Sequence, residues 1–377
     1  MQMSRVALFS TRFLPYSQTF VYDEVRLHRR YAIEVFARQR MLADRFPYEP
    51  VHVAGPLYGI TRRSTAFDRL FRERGYALVH AHFGTGGIYG MRWARRFDLP
   101  LVVTFHGGDV TFLLSRSERL RPTNLRYGLL SGELFRTLTL GLCASAELME
   151  LLKGIGVPEH KLRVHRLGID LEAFARRERP SAPVRVLMIG RFVEKKGFAY
   201  GLQAFAEVAA SRSEVTLTVV GDGVLGGELR ALARRLGIAP RVEFTGAIEP
   251  ARIASLLGES DVLLAPSVVD SRGNRESGTI VVKEASASEV VPIGTRHGGI
   301  PDIIDDGVTG YLVEERDVAS LAARLAQLVD DPALRARLGR AARVKMEREY
   351  DNRARVVQLE EHYDDAVRLH AAQRAAG

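Results

Sequence analysis

Cysteine is nearly absent from the 377-residue chain, which contains only Cys143. A single cysteine excludes an intramolecular disulfide and any metal site built from several cysteines, and it is typical of a reducing compartment. No apolar run approaches the ~18 residues that a membrane span requires. The apolar run at 6–9, which Arg12 soon interrupts, is too short for a secretory signal. These absences predict a cytoplasmic protein without a membrane-spanning segment.

The residues that are abundant indicate a globular protein with a basic first half. Hydrophobic residues make up 46% of the chain and charged residues 26%, which excludes disordered and low-complexity classes. At ~100–200 residues per domain, the length predicts two or three domains. Positions 1–180 carry 28 Lys and Arg against 17 Asp and Glu, whereas 181–377 carry 26 against 28. The first half therefore indicates an anionic partner such as a nucleotide, a lipid surface or nucleic acid, unless its arginines only solvate helices.

Both halves alternate predicted strands with predicted helices. In the first half, strands are predicted at 5–10, 77–81, 101–105 and 138–144, with helices at 86–97 and from 133 onward. In the second half, strands are predicted at 184–189, 215–220, 242–244, 262–265 and 291–294, with helices at 199–210, 228–236, 253–257, 279–287, 321–329, 333–349 and about 356–372. This alternation predicts two doubly wound α/β domains with parallel sheets, joined by the polar segment 171–183. Such sheets bind ligands beyond the carboxyl ends of their strands, and the cleft between the domains is the expected site.

Two glycine-rich loops follow the first two predicted strands of the second half. The first, 190–197 (G-R-F-V-E-K-K-G), places Arg191 and Lys196 where they could clamp a diphosphate, although it could also be a solvated charged turn. The second, 221–226 (G-D-G-V-L-G), matches G-x-G-x-x-G, with Glu243 about 20 residues further on. Taken alone, that match predicts an NAD(P)-dependent oxidoreductase, but the loop follows the second strand of its domain and not the first.

The segment 274–285 (N-R-E-S-G-T-I-V-V-K-E-A) combines two carboxylates with a predicted helix start. Glu276 precedes the helix and Glu284 lies within it. The free backbone amides of Gly278, Thr279 and Ile280 would bind a phosphate at the helix start. The carboxylates would then bind hydroxyls, which favours a sugar nucleotide. The alternative is a capping role for Glu276 and a surface position for Glu284.

Histidines follow two predicted strands of the first half. His106 and a turn ending at Asp109 (H-G-G-D) follow the strand 101–105, which places the histidine at the expected cleft. His80 and His82 lie at the end of the strand 77–81, but their spacing matches no metal motif.

With these motifs, the sequence resembles the retaining glycosyltransferases of family 4, which have the GT-B architecture of two Rossmann-like domains facing a cleft. The resemblance rests on the segment 190–197, the turn 221–223, the pair Glu276 and Glu284, the turn 106–107, and the segments 298–302 (G-G-I-P-D) and 306–307 (D-G). It spans nearly the whole chain and is strongest from 184 to 313. The segment 13–20 is similar to the S-E-T-F loop of enzymes that build bacterial exopolysaccharide.

The sequence departs from the family pattern in two loops. Ser17, Gln18 and Thr19 stand in place of the glycine-rich N-terminal loop, and Gln18 replaces the subfamily glutamate. After Glu284, the usual glycine-containing stretch reads S-A-S-E at 286–289.

The resemblance implies that a hexosyl unit moves, with retention, from a UDP- or GDP-sugar to a hydroxyl of a saccharide, lipid-linked or small-molecule acceptor. The implied catalytic residues are His106, Glu276, Arg191 and Lys196. The implied donor contacts are Gly190, Gly221, Gly223, Ser277, Gly278, Thr279, Ile280 and Glu284, and the acceptor-side residues are Ser17, Gln18, Thr19 and Asp109. No metal or other cofactor is implied, because fixed cations take the charge role of a metal.

The implied domains are an acceptor domain at 1–172, completed by a C-terminal helix at 355–377, and a donor domain at 173–354. Arginines at 62–63, 92, 95–96 and 116–126 could meet an anionic membrane surface or a lipid-diphosphate acceptor on the inner face of the membrane. Two other classes stay open: the oxidoreductase, and a non-enzymatic binder of membrane or nucleic acid. Aromatic residues are not interleaved with the arginines, so we do not predict a nucleic-acid partner.

Overall fold

A computed structural model describes residues 3–14, 18–119, 121–174, 183–276 and 279–376. The chain forms two compact units, Met1–Gly168 with Asn352–Gly377, and Ile169–Asp351. Most of the linker predicted at 171–183 lies outside the described residues. Among the described helices, none combines the length and hydrophobicity needed to cross a bilayer.

The first unit is built on a seven-stranded sheet in the order β3-β2-β1-β4-β5-β6-β7. The strands are β1 (Ser4–Phe13), β2 (Tyr31–Arg40), β3 (Val51–Val53), β4 (Tyr76–His82), β5 (Leu101–Phe105), β6 (Leu140–Cys143) and β7 (Leu162–Val164). Every pairing is parallel, and Leu8 of β1 lies opposite Val35 of β2 and His80 of β4. The central strands are buried along most of their length, because helices cover both faces of a parallel sheet.

The helices of this part of the chain are α1 (Thr19–Leu27), α2 (Tyr58–Thr61), α3 (Thr65–Arg74), α4 (Phe83–Arg96), α5 (Gly108–Leu114), α6 (Arg116–Arg119), α7 (Pro122–Thr137) and α8 (Ala146–Gly154). On one face of the sheet, aromatic rings form the core: the ring centroid of Phe9 lies 5.2 Å from that of Phe36 and 5.3 Å from that of Trp93. Such pairs add to the burial of apolar area and fix α4 against β1.

The second unit is built on a six-stranded parallel sheet in the order β10-β9-β8-β11-β12-β13. Its strands are β8 (Val184–Ile189), β9 (Val215–Val220), β10 (Val242–Gly246), β11 (Val262–Ala265), β12 (Val291–Thr295) and β13 (Tyr311–Val313). Its helices are α9 (Phe198–Ala209), α10 (Gly226–Arg235), α11 (Pro250–Glu259), α12 (Ile280–Ala287), α13 (Ile300–Ile303), α14 (Val318–Asp330) and α15 (Pro332–Glu349). The predicted α/β class with two doubly wound parallel sheets is confirmed.

The last helix, α16 (Asn352–Ala376), belongs to the first unit. Leu359 and Tyr363 are fully buried against the sheet face that carries Leu78 and Val102. The helix therefore completes the core of the first unit.

Several elements differ from the sequence prediction. Helix α4 begins at Phe83 and not at 86, and α7 begins at Pro122 and not at 133. Strand β2 was not predicted, because Glu34 interrupts its apolar pattern. In the fold, that carboxylate is 4% exposed, and it accepts hydrogen bonds from Tyr76 (2.6 Å) and Arg74 (2.9 Å). A paired carboxylate can be buried in a strand, which the sequence alone does not reveal.

The order of the strands reverses once in each sheet. In the first unit this happens between β1 and β4, and in the second between β8 and β11. Loops that leave the carboxyl ends of such neighbouring strands diverge to opposite faces of the sheet and open a crevice for ligands.

Candidate functional site

In the second unit, two loops meet at the point where the strand order reverses. Lys196 lies on the loop after β8, and Glu276 lies on the loop between β11 and α12. The Nζ atom of Lys196 is 2.8 Å from Oε2 of Glu276, and Nζ of the neighbouring Lys195 is 2.8 Å from Oε1. The fold thus brings together two predicted residues that are 80 positions apart, and it adds Lys195, which the motif did not single out.

The carboxylate of Glu276 is held in its ionised form. Burial disfavours the charge, since the side chain is 11% exposed, but the charges and hydrogen bonds of Lys196 and Lys195 outweigh burial and lower its pKa from 4.5 to about 2. An ionised carboxylate only accepts hydrogen bonds, so at neutral pH Glu276 can accept from hydroxyl groups.

The backbone of Glu276 is fixed by a buried histidine. Its N–H donates to Nε2 of His297 over 2.9 Å, and Nδ1 of His297 is 2.6 Å from Oε1 of Glu315. Because Nε2 accepts, the ring of a neutral His297 must carry its proton on Nδ1 and donate it to Glu315. Sequence reasoning missed His297, since it lies on a separate loop after β12.

The loop that leads to Glu276 is ordered by two acidic side chains. Asp270 accepts hydrogen bonds from the backbone N–H groups of Arg272 and Asn274, at 2.9 and 2.8 Å. Glu194, which precedes the two lysines, accepts from the backbone and hydroxyl of Ser271 at 3.0 and 2.6 Å. Asp270 therefore orders the loop after β11, and Glu194 ties that loop to the loop after β8.

The start of α12 lies at the same edge of the sheet. Thr279 precedes the helix and Ile280 is its first residue, one position later than predicted, while Ser277 and Gly278 lie outside the described residues. Thr279 is 2% exposed, and its Oγ1 is buried without a hydrogen-bond partner among the described residues. Thr279 and Lys196 line the same small depression beyond the ends of β8 and β11. Glu284 is half-buried on the second turn of α12.

Gly190 leaves room for the side chain of Lys196, and the neighbouring Arg191 is exposed. A Cβ added at Gly190 would lie 3.3 Å from Cε of Lys196, and the residue has φ of 155°. Arg191, the next residue, is exposed to solvent.

The glycines of the loop after β9 are explained by packing against the loop after β8. A Cβ on Gly221 would lie 1.8 Å from the carbonyl oxygen of Gly190, and one on Gly223 would lie 2.7 Å from the carbonyl oxygen of Phe192. Both glycines have positive φ, 139° and 153°. The G-x-G-x-x-G match therefore reflects close contact between two loops and a turn into α10.

In the first unit, His106 follows β5 and is enclosed by aromatic rings. Its ring centroid lies 5.0 Å from that of Phe20 and 4.3 Å from that of Phe83. Its Nε2 lies 3.0 Å from Nδ1 of His82, and Nε2 of His82 lies 3.0 Å from Oε1 of Glu24. Sequence reasoning found His106 and His82 but missed Glu24, which lies on α1.

Asp109 holds the turn that carries His106. Its carboxylate is 3% exposed and accepts from the backbone N–H groups of Gly84 (2.8 Å), His106 (3.1 Å) and Gly107 (2.8 Å). Burial raises its pKa, in opposition to these amide hydrogen bonds. In this arrangement, the oxygens of Asp109 serve the backbone and link the loops after β4 and β5.

Of the three other residues predicted to lie on the acceptor side, two are described, and both lie at the start of α1. Gln18 directly precedes the helix and makes no capping hydrogen bond with its side chain. Thr19 is the first residue of α1, but its side chain is not described, and Ser17 lies outside the described residues.

A cluster of potential metal ligands is formed by Glu24, His80 and His82, whose ligand atoms lie within 4.8 Å of one another. Hydrogen bonds account for all three. Nε2 of His80 pairs with Thr104 (2.8 Å) and its Nδ1 with the hydroxyl of Tyr363 (2.8 Å), while both nitrogens of His82 are engaged as described above. Each of the three side chains therefore has a protein partner among the described residues.

Comparison with known proteins identifies the family. Residues 171–345 match the model described as glycosyl transferases group 1, and residues 19–173 match glycosyltransferase family 4. The chain belongs to glycosyltransferase family 4. The earlier alternative, an NAD(P)-dependent oxidoreductase that uses the loop 221–226, has no support, in agreement with the packing role of its glycines.

Two relatives carry names from exopolysaccharide synthesis. The putative colanic acid biosynthesis glycosyltransferase WcaL of Salmonella typhimurium is 29% identical over 72% of this chain and 66% of its own length. The amylovoran biosynthesis glycosyltransferase AmsK of Erwinia amylovora is 29% identical over 72% of this chain and 65% of its own. The chain thus spans slightly less than two thirds of the length of these relatives.

Among solved structures, HepE of Anabaena, determined in complex with UDP and glucose, has a TM-score of 0.76 and 20% identity. The match covers 97% of this chain and 100% of that one. This likeness establishes that the chain has the GT-B fold.

Proposed function

We propose that the protein transfers a hexosyl unit from a UDP- or GDP-sugar to a hydroxyl of a saccharide, lipid-linked or small-molecule acceptor, with retention at the anomeric carbon. The observation that carries the proposal is the group formed by Lys195, Lys196 and Glu276 at the carboxyl ends of β8 and β11. The names of WcaL and AmsK favour a role in polysaccharide or glycoconjugate synthesis.

Three features would bind the diphosphate of the donor. Lys196 provides a cation in the depression beyond β8 and β11, and Arg191 provides an exposed cation five positions earlier on the same loop. The backbone amides at the start of α12 are a third source of positive potential, since the first N–H groups of a helix have no partner within it. As the bond to the sugar breaks, these groups would stabilise the charge that grows on the leaving diphosphate.

The carboxylates would bind the hydroxyls of the donor. Glu276 is ionised and anchored through His297, so its oxygens are suited to accept from the hydroxyls of the donor sugar. A phosphate that engages Lys196 would weaken its pairing with Glu276, and Lys195 would keep the carboxylate in place. Glu284, one turn further along α12, would accept from the hydroxyls of the ribose.

The reaction with retention requires no pair of catalytic carboxylates. In the proposed step, the acceptor oxygen bonds to the anomeric carbon on the face from which the diphosphate departs. The acceptor proton passes to an oxygen of the leaving phosphate, which balances the charge. Glycoside hydrolases use one carboxyl group to protonate the leaving oxygen and a second as base or nucleophile, whereas here the leaving phosphate itself takes the proton. We assign His106 a hydrogen bond to the donor sugar near its reacting carbon.

Hydrolysis of the donor in the absence of acceptor tests the proposal. In a panel of UDP-, GDP- and ADP-sugars with NAD as a further arm, we expect a UDP- or GDP-sugar to be hydrolysed and to raise the melting temperature, since a ligand of the native state stabilises by mass action. Stabilisation by NAD alone would contradict the proposal.

The same assay tests whether a metal takes part. We propose that the fixed cations carry the charge that a metal carries in other transferases, so EDTA should change the rate by less than about twofold. A loss of turnover on chelation that added Mg²⁺ or Mn²⁺ restores would contradict this part of the proposal.

We also propose that the first unit binds an anionic membrane surface at the cytoplasmic face. Arg62, Arg92, Arg95 and Arg96 line one surface depression. Near it, Leu57, Ile60 and Leu129 are exposed by 68%, 72% and 72%. Hydrogen bonds tie the elements of this basic–apolar patch together, since Arg126 of α7 donates to the carbonyl of Gly59 in α2. Cations beside exposed apolar side chains suit the interface of an anionic bilayer.

Co-sedimentation with phosphatidylglycerol vesicles tests the patch. Reversal of two exposed arginines, Arg63→Glu with Arg95→Glu, should weaken the affinity for the vesicles by roughly 30-fold or more at low salt, since each cation near the surface contributes about 1 kcal/mol. The matched control is Arg234→Glu with Arg235→Glu, which makes the same charge change on α10 and should have little effect. Equal binding by the wild type and both double variants would contradict the membrane proposal.

A further inference from the structure

The side chain of His106 is the end of a buried chain of hydrogen bonds that begins at Glu24. Oε1 of Glu24 is 3.0 Å from Nε2 of His82, and Nδ1 of His82 is 3.0 Å from Nε2 of His106. Glu24 is 8% exposed and His82 is 1% exposed. Three elements, α1, β4 and the loop after β5, supply one member each, so only the folded unit assembles this chain.

Glu24 enters the chain as an acceptor. Although burial opposes ionisation, the neighbouring His82 holds the pKa of Glu24 far below its ordinary value. A carboxylate only accepts, so Nε2 of His82 must carry a proton. With this proton on Nε2, His82 can be neutral or charged, and the two states differ in whether its Nδ1 accepts or donates.

The state of His82 decides the state of His106. When His82 is neutral, its Nδ1 has a lone pair, so His106 must donate from Nε2 and its Nδ1 is an acceptor. When His82 is charged, its Nδ1 donates, so Nε2 of His106 accepts and the proton of a neutral His106 moves to Nδ1. In both states one tautomer of His106 is selected.

The ring of His106 is also held in one orientation. Phe20 and Phe83 lie against it, and its ring centroid is 5.2 Å from that of His82, its hydrogen-bond partner. Its backbone N–H is bound by Asp109. Packing thus fixes where the ring lies, and the hydrogen-bonded chain decides which nitrogen carries the proton.

We propose that Glu24 and His82 are positioning residues that act through His106, by selecting the tautomer that it presents to the donor sugar. The inference rests on the proposed role of His106 in transfer. The titratable groups that face these hydrogen bonds include His28, His80, His165, Asp109, Glu360 and Tyr363. None of them joins Glu24 to His106, which leaves His82 as the link.

A second glutamate of the same unit provides a matched control. Glu360 is 1% exposed, and its Oε1 lies 3.2 Å from Nδ1 of His28, so Glu360→Gln makes the same chemical change at a buried Glu–His pair. It has no contact with His106. A general effect of removing a buried charge would therefore appear in both variants, whereas an effect through the chain would appear only in Glu24→Gln.

Kinetics and nuclear magnetic resonance together test the proposal. Glu24→Gln should lower kcat by roughly tenfold or more and change the KM for the donor little, because a wrong tautomer impairs the transition state more than binding. In a His106→Ala background the same substitution should change kcat by less than about twofold, since coupled residues are not additive. Glu360→Gln should leave kcat near that of the wild type, whatever it does to stability.

The tautomers can be observed without any activity. In protein labelled with ¹⁵N at histidine, the wild type should show scalar coupling across the hydrogen bond between Nδ1 of His82 and Nε2 of His106. His106 should be a single tautomer in the wild type and a mixture in Glu24→Gln. Because the coupling is measured on the wild type, the test stands even if Glu24→Gln fails to fold.

The outcomes separate this inference from the proposed function. Three outcomes would overturn the positioning role and leave the transferase intact. They are transfer without the coupling, equal losses of kcat in Glu24→Gln and Glu360→Gln, and a loss from Glu24→Gln that persists in the His106→Ala background. A wild type that shows the coupling but transfers no sugar would overturn the proposed function. The catalytic role of the hydrogen bonds from Glu24 through His82 to His106 would fall with it.

Discussion

Replacing Lys196 by alanine should lower kcat by about 10²–10³, because a preorganised charge that stabilises a leaving group contributes on that scale. The loss in kcat/KM should be at least as large, because Lys196 would also bind the diphosphate of the donor in the ground state. Steady-state hydrolysis of the nucleotide sugar, followed by release of the nucleoside diphosphate, measures both. The protein should remain folded, because Glu276 keeps Lys195 as a partner.

Lys195→Ala is the matched control for this prediction. It removes the same charge from the same loop and breaks the other half of the ion pair with Glu276. Lys195 does not line the depression beyond β8 and β11, so its loss should cost roughly tenfold or less through the position of Glu276. If the two variants lose activity equally, or if Lys196→Ala stays within about threefold of the wild type, the assignment of Lys196 to the diphosphate is wrong.

Gly221→Ala should have the largest effect on folding among the substitutions that we consider. Its Cβ would lie 1.8 Å from the carbonyl oxygen of Gly190, at a φ of 139° that other residues rarely adopt. The clash and the backbone strain together should cost about 3 kcal/mol or more. Urea denaturation gives the free energy of unfolding, and the loop after β8 should be displaced with a loss of donor hydrolysis.

Gly237→Ala separates backbone strain from the clash. Gly237 also has a positive φ, 72°, but a Cβ there would meet no atom within 4 Å. We expect a cost of about 1–2 kcal/mol from the left-handed backbone alone, with turnover retained. Equal destabilisation by the two substitutions would contradict the close contact between the loops after β8 and β9.

The fold could be predicted from the sequence wherever strands are apolar and buried on both faces. The predicted strands 101–105, 184–189, 215–220 and 262–265 have the same bounds in the structure. Prediction failed where a buried polar residue interrupts the pattern, as Glu34 does in β2. The partners of Glu34 are up to 42 positions away, so its burial depends on contacts that periodicity does not reveal.

Two residues of the candidate group could be named from motifs in the loops after β8 and β11. Lys196 and Glu276 were named from the sequence, and the fold brings them within 2.8 Å. Lys195 was missed because the adjacent Lys196 was taken as the functional lysine of the motif. His297 was missed because it binds the backbone of Glu276 from a distant loop. Glu24 was missed for a similar reason, since nothing in its own helix indicates that it reaches His82.

A crystal structure with the intact donor, or with its nucleoside diphosphate, tests the central claim most directly. The account predicts phosphate oxygens within hydrogen-bonding distance of Nζ of Lys196 and of the backbone amides at the start of α12, with Glu276 accepting from hydroxyls of the sugar. Phosphates bound elsewhere on the chain, with the pairing of Lys196 and Glu276 unaltered and no ligand beyond β8 and β11, would contradict it.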